Sequence, residues 1–244
     1  MTGAMLPVRP TGAAARIAVV DYGASNLVSI DQALTRVGAV VTVVREPDAI
    51  GDADAMLVPG VGAAGPAMER LARRGLVDPI RDWIAADRPF LGICLGMQLL
   101  FDGSDEDGTT TLGAIPGRTI RLADAPTLPH IGWNQVERLR PHPLFEGIAP
   151  DADFYFVHSY AGAPTEDAGA TEPIALARTT HGGSFVSAVA RGPLIGLQFH
   201  PERSGRDGLR LLANYVELVR SGAWPSGEGA AAGAPPAADA AAAV

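Results

Sequence analysis

Short apolar runs alternate with longer stretches of helical spacing through the first hundred positions. RIAVVDYG, residues 16–23, is rich in β-formers and ends in glycine. Residues 26–37 carry Leu27, Ile30, Leu34 and Val37 on one helical face and stop at Gly38, a suitable C′ residue. VVTVVR (40–45) and AMLVPG (55–60) read as the second and third strands. Residues 66–86 have a helical pattern, with a break expected at Pro79. PFLGIC is a fourth strand, and LGMQLLF is expected to open the next helix. Apolar strands separated by helices predict an α/β fold with a doubly wound, largely parallel central sheet.

The second half is richer in strands: GRTIRL, GWNQVERL, DFYFVHSY, IALART, SFVSAVA and LIGLQFH. These are expected to extend the sheet or to build a second, mixed one. Residues 204–220 form a last amphipathic helix. The pattern fades at both ends. Residues 1–15 have no period and are expected to be a disordered extension, and residues 225–244 are a low-complexity tail. One domain, residues 16–224, is expected between them.

Composition narrows the function. The chain has 244 residues and a single cysteine, so neither an internal disulfide nor a cysteine-built zinc site is available. All 19 basic residues are Arg, which excludes a lysine Schiff base and a P-loop lysine. The net charge is −8 and no basic stripe appears, arguing against a nucleic-acid partner. No apolar run reaches the roughly 18 to 20 residues of a membrane helix, and the first residues lack the apolar core of a secretory signal. A cytoplasmic location is expected.

The lone thiol sits in G-I-C-L-G, residues 92–96, between a strand and a helix. This is the spacing of a nucleophile elbow with Cys in place of Ser. The turn is so tight that flanking side chains would clash, which explains the glycines. The nucleophile then projects from the sheet edge at a helix N-terminus, where the macrodipole favours a thiolate. The Leu95 N–H points toward a developing oxyanion. A buried, inert cysteine is the plain alternative.

A thiol nucleophile needs a base. Among the five histidines, His130, His142 and His181 sit in turn-like surroundings without an evident partner, and His158 fits a core or a binding-loop position. His200 ends the strand LIGLQF, with Pro201 stopping it and Glu202 two residues on. A carboxylate there orients the imidazole and completes a Cys94-His200-Glu202 triad. The loop PGVGAAGPAM, residues 59–68, is glycine-rich after a strand and can bring a second N–H, from Val61 or Gly62, to the oxyanion.

Together these three elements resemble the class I, triad-type glutamine amidotransferases, which carry G-x-C-x-G-x-Q, a later H-P-E, and a glycine-rich oxyanion loop before the elbow. Within that class DYGASNL, PGVGAAGPAM, GICLGMQLLF, HIGWNQV, FYFVHSY and GLQFHPERSG are similar to the glutaminase subunits of imidazole glycerol phosphate synthases. These marks span nearly all of residues 16–220. The resemblance implies a Cys94 nucleophile, His200 as general base and acid, and Glu202 as its orienting carboxylate. It implies glutamine-binding positions at Gly62, Gln98, Glu106, Ser159 and Tyr160, with Asp105 competing with Glu106 for the substrate amino group. It further implies a (βα)8-barrel cyclase as partner in a heterodimer, with contacts at Trp133, Asn134, Tyr155 and Arg203. The last replaces the lysine usual in the family, keeping the charge but not the shape.

The activity implied is hydrolysis of L-glutamine to glutamate and ammonia. The ammonia is channelled to the cyclase for histidine biosynthesis, giving imidazole glycerol phosphate and aminoimidazole carboxamide ribotide. Acyl transfer of this kind calls for no cofactor and no metal. A further expectation is an oxyanion loop, residues 59–62, misaligned until the cyclase binds its ligand. The alternatives are a glutaminase serving another synthase, such as one for pyridoxal phosphate or anthranilate, a glutamine-independent cysteine hydrolase, and a non-catalytic scaffold.

Overall fold

The computed structural model describes residues 13–23, 26–165 and 173–225. In the first half the elements run β1 (Arg16–Val20), α1 (Leu27–Arg36), β2 (Val40–Val44), β3 (Ala55–Val58), α2 (Ala64–Arg73), α3 (Val77–Ala85), β4 (Phe90–Ile93) and α4 (Leu95–Gln98). The second half adds β5 (Gly103–Ser104), β6 (Gly117–Arg121), β7 (His130–Gln135), β8 (Glu137–Arg138), β9 (Asp153–His158), β10 (Tyr160–Pro164), β11 (Ala175–His181), β12 (Gly183–Arg191), β13 (Leu194–Leu197) and α5 (Gly205–Ser221).

Eight strands form one sheet in the order β2-β1-β3-β4-β13-β12-β11-β8. The first five are parallel, and β12, β11 and β8 continue the sheet antiparallel. Both options read for the strand-rich half are therefore realised. Four of its strands extend the central sheet, while β10-β6-β5 and β7-β9 form two small sheets of their own.

The period-2 pattern of β1 explains why both faces are covered. Ile17 and Val19 join a cluster with Leu34, Leu211 and Tyr215, from α1 and α5. Ala18 and Val20 join a second cluster with Leu71 and Ile80, from α2 and α3. Strands β3 and β4 are buried at every position, as expected of parallel strands between helical layers.

Two sequence expectations need correction. The break within residues 66–86 falls at Gly75, which takes φ +65° between α2 and α3. Pro79 instead sits in the first turn of α3, where no amide is needed. The helix opened by LGMQLLF ends at Gln98 after four residues, so its dipole is that of one turn.

Contacts with the fold also reach residues before 16. Ala15 is buried, its carbonyl accepts from Val40 N at 2.8 Å, and Arg220 Nε donates to the Ala13 carbonyl at 3.3 Å. At the other end Trp224 packs against Tyr215. Residues 1–12 and 226–244, where disorder and low complexity were expected, lie outside the described residues.

Candidate active site

The site sits at the C-terminal edge of the parallel strands, where open α/β sheets bind ligands. The pairing of β13 with β4 builds it. Leu197 lies opposite Ile93 and Gly196 opposite Gly92, and Cys94 N donates to the Leu197 carbonyl at 2.7 Å. Cys94 follows one strand by a single residue and His200 follows the other by three. The register thus fixes their approach before any side chain is chosen.

Cys94 takes φ +53° and ψ −108°, an unfavourable backbone for any residue with a Cβ. Its surroundings enforce the turn. A Cβ on Gly92 would lie 2.6 Å from the Gly96 carbonyl oxygen, and one on Gly96 would collide with the Val58 carbonyl. Both glycines are therefore steric necessities of the elbow. The strain is held by the sheet on one side and by the α4 turn on the other.

His200 is buried and its Nδ1 bonds Glu202 Oε1 at 2.8 Å. With Nδ1 protonated by that contact, Nε2 is the nitrogen left for chemistry. Nε2 is buried and makes no hydrogen bond of normal geometry among the described residues, with Cys94 as an electrostatic neighbour. Burial would lower the imidazole pKa. The hydrogen bonds and charges of Cys94 and Glu202 outweigh it and raise the pKa to about 10. At neutral pH His200 is therefore protonated, beside Cys94. A one-turn helix adds little to this, so His200 sets the charge around the thiol.

The oxyanion side is arranged differently. Leu95 N–H donates to the Gly60 carbonyl at 3.3 Å. The donor expected to face an oxyanion is thus occupied by the loop expected to provide the second one. The peptide joining Gly60 and Val61 carries both the blocking carbonyl and the Val61 N–H. Turning that peptide over would exchange one for the other. Gly62 follows at φ +95° with open space around it, and Val61 is about one-third exposed.

The substrate-side candidates divide. Gln98 is buried beneath the site, and its Nε2 donates to the Tyr160 carbonyl at 2.7 Å and to Gln198 Oε1 at 3.1 Å. It therefore holds the 159–160 turn in place from inside. Ser159 joins β9 to β10, which Tyr160 opens, and the Ser159 carbonyl accepts from Leu122 N at 3.0 Å. Asp105 is committed to Arg118 at 2.6 Å. Glu106 is exposed and outside that pair, its pKa raised by partial desolvation and by neighbouring Asp107.

Trp133, Tyr155 and Arg203 share one surface. Trp133 is 56% exposed and edge-on to Tyr155, and the Arg203 guanidinium lies 4.1 Å from the Tyr155 ring centre. Asn134 instead turns its amide inward, donating to the Thr180 carbonyl at 2.9 Å and contacting His130 Nε2 at 3.2 Å.

The remaining histidines have partners that their sequence surroundings did not suggest. His130 Nδ1 meets His158 Nε2 at 3.2 Å, and its ring stacks on His181. His158 Nδ1 bonds the Tyr160 carbonyl at 2.9 Å. Donation by that nitrogen makes His158 Nε2 the acceptor from His130. Burial lowers the pKa of His130 to about 4 and of His158 to about 3, so both are neutral. His142 accepts from Leu144 N and caps a short turn. Among the described residues no cluster of His, Cys, Asp and Glu could hold a metal ion, and no helix is long and apolar enough to cross a membrane.

A family model described as glutamine amidotransferase class-I matches residues 18–218. The chain belongs to the class-I glutamine amidotransferase family. Among curated amidotransferases, the imidazole glycerol phosphate synthase subunit HisH of Symbiobacterium thermophilum is 50% identical over 208 residues, covering 84% of this chain and 95% of that protein. The same subunit of Moorella thermoacetica is 46% identical over 205 residues, with the same coverage. The solved structure of PurLQS from Thermotoga maritima aligns with a TM-score of 0.67 over 85% of this chain and 100% of that one. At 18% identity that likeness is one of fold.

In this amidotransferase four residues touch the machinery without having been singled out from sequence. Asn26 Nδ2 donates to Glu202 Oε1 at 2.6 Å. Gln198 Nε2 approaches Cys94 Sγ at 3.6 Å. Ser204 Oγ donates to the His200 carbonyl and accepts from Tyr155 N. Tyr22 Oη donates to the Pro59 carbonyl at 2.9 Å. Asn26 and Tyr22 lie in DYGASNL and Gln198 and Ser204 in GLQFHPERSG, so the signal was the motif itself.

Proposed function

We propose that the chain is the cytoplasmic glutaminase subunit of an imidazole glycerol phosphate synthase. It hydrolyses L-glutamine to glutamate and ammonia for a (βα)8-barrel cyclase in histidine biosynthesis. The observation that carries this reading is the Cys94-His200-Glu202 constellation on a chain 50% identical to such a subunit.

The chemistry follows from the proton positions. Cys94 sulfur attacks the side-chain carboxamide carbon of glutamine, forming an S–C bond and an oxyanion. Leu95 N–H and Val61 N–H stabilise that oxyanion once the 60–61 peptide has turned. Collapse breaks the C–N bond, and His200 gives its proton from Nε2 to the departing nitrogen, releasing ammonia. Neutral His200 then removes a proton from water, whose oxygen attacks the thioester. Expulsion of the Cys94 thiolate yields glutamate and restores the protonated imidazole. Glu202 keeps Nδ1 protonated throughout, so each transfer runs through Nε2. Glu106 receives the substrate amino group, and the 159–160 turn, held by Gln98, contacts its backbone end.

Ammonia in open water would be protonated and lost, which favours a partner docked over the site. The face bearing Trp133, Tyr155 and Arg203 is the surface offered for it. Tyr155 connects that face to the triad, because its carbonyl accepts from His200 N at 2.9 Å. The test is glutamate release by the pure chain, alone and with the barrel cyclase plus its nucleotide ligand, alongside Cys94→Ala. The rate should rise sharply in the liganded complex and vanish in the variant. Activity with a different synthase alone would reassign the pathway, and activity that survives loss of Cys94 would overturn the mechanism.

A further inference from the structure

The closed oxyanion hole requires something to hold it closed. A glycine-rich strap would otherwise sample many backbone states. One side chain outside the triad reaches the strap from the β1–α1 loop. Tyr22 is 1% exposed, and its hydroxyl donates to the Pro59 carbonyl at 2.9 Å. The same oxygen fills the space where a Cβ on Gly60 would stand, while Leu95 Cβ lies 3.0 Å from that point on the other side. The strap is therefore gripped immediately before the peptide whose carbonyl blocks Leu95 N–H.

We propose that Tyr22 is a positioning residue that latches the 59–60 strap in its closed state and so sets the resting activity of the enzyme. The proposal rests on the glutaminase reading above. Its physical content is a two-state loop. In the closed state the Pro59 carbonyl is paired with Tyr22 and the Gly60 carbonyl with Leu95 N–H. In the open state the 60–61 peptide has turned and drawn the Pro59 carbonyl away from Tyr22, and Leu95 and Val61 both present N–H groups to the oxyanion. Without the Tyr22 hydroxyl the closed state leaves a buried carbonyl unpaired, and the population shifts toward the open form.

The latch shares its loop with a second contact. Four residues after Tyr22, Asn26 donates to Glu202 at 2.6 Å from a left-handed backbone, φ +84°. The loop is tied down at its start by Arg45 Nε on Asp21 Oδ2 at 2.7 Å and by Gly23 N on Asp21 Oδ1 at 2.9 Å. One loop therefore grips the oxyanion strap with Tyr22 and the carboxylate of the triad with Asn26. Displacing it would reach both halves of the site at once.

The test is Tyr22→Phe, which keeps the ring. Glutamine turnover by the pure chain should rise roughly two- to tenfold, the factor one neutral hydrogen bond contributes to an equilibrium. The rate in the liganded cyclase complex should change little, so the stimulation ratio falls by the same factor. The gain should appear in kcat with KM for glutamine nearly constant. Alkylation of Cys94 by iodoacetamide passes through no oxyanion and should keep its wild-type rate. Tyr22→Met, of similar bulk and without a donor, should repeat the pattern and serves if the phenylalanine variant folds poorly.

An unchanged resting rate in both variants, or resting and stimulated rates that fall together, overturns the latch. The wild-type control separates this from failure of the functional reading. A wild-type chain that releases no glutamate in any complex removes the proposed glutaminase and the latch with it. A wild type stimulated normally beside unaltered variants removes the latch alone.

Discussion

The two sides of this active site are built to different degrees of completion. On the elbow side every constraint agrees. The β4–β13 register, the Gly92 and Gly96 contacts and the Glu202–His200 bond all hold Cys94 and the imidazole in one arrangement. On the strap side the Gly60 carbonyl takes the donor that catalysis needs, and open space surrounds Gly62. The difference is one of packing. The elbow is buried between two helical layers and cannot relax, whereas the strap lies at the sheet edge on glycines and is held by a few hydrogen bonds. Under the proposed function, a site divided in this way keeps its nucleophile ready and its oxyanion stabilisation conditional. Chemistry can then wait for a signal without rebuilding the triad.

The sharpest way to break this comparison is to place the same methyl group on each side. Gly96→Ala drives a Cβ into the Val58 carbonyl, where neither backbone can yield. We expect a loss of about 3 kcal/mol or more, with little folded protein recovered. Gly62→Ala meets no neighbour and bears only the cost of φ +95°, on the order of 1–2 kcal/mol. Urea unfolding of both variants measures the contrast. Equal losses would mean that the elbow is no more tightly determined than the strap.

Within the assembled half, the contact most open to challenge is Asn26. Glu202 Oε1 accepts from both His200 Nδ1 and Asn26 Nδ2, and its Oε2 is buried without a partner among the described residues. Asn26→Ala removes a charge-assisted bond and leaves the carboxylate free to turn. We expect kcat in the liganded complex to fall by about tenfold, with KM for glutamine unchanged, because the loss touches the base and not the substrate. A wild-type kcat would show that His200 alone suffices to orient Glu202.

What could be read from the chain and what could not divide along the same physical line. Cys94 and its glycines, and His200 with Glu202, are local patterns whose chemistry is written in adjacent positions. The residues that support them act across the fold. Asn26 meets Glu202 from 176 positions away, and Gln198 reaches Cys94 from 104. Their motifs mark the positions but name no partner, since the contacts arise only when the sheet brings the ends of β1, β4 and β13 to one edge. The helix break shows the opposite kind of error. Proline was weighted over glycine, yet a proline in a first helical turn is tolerated, and the left-handed turn at Gly75 ends α2.

The smallest expected effect separates the histidines that serve the assembled half from those that only fill it. His158 carries a folded pKa of about 3, against an ordinary value of 6.5, because burial penalises its charge. Below pH 6.5 the unfolded chain takes up a proton there that the folded chain refuses. Stability therefore falls as the pH drops from 6.5, by about 1 kcal/mol from His158 at pH 5.5. His200 has the opposite sign. Its folded pKa of about 10 lies above the unfolded value, so its contribution is complete below pH 6.5 and is lost as the pH rises from there to 10. Urea midpoints at pH 5.5, 7.5 and 9.5 resolve the two limbs. His158→Gln should flatten the acid limb and leave the basic one, and His200→Gln should do the reverse. If His158→Gln flattened the basic limb instead, the protonated imidazole beside Cys94 would have been assigned to the wrong strand.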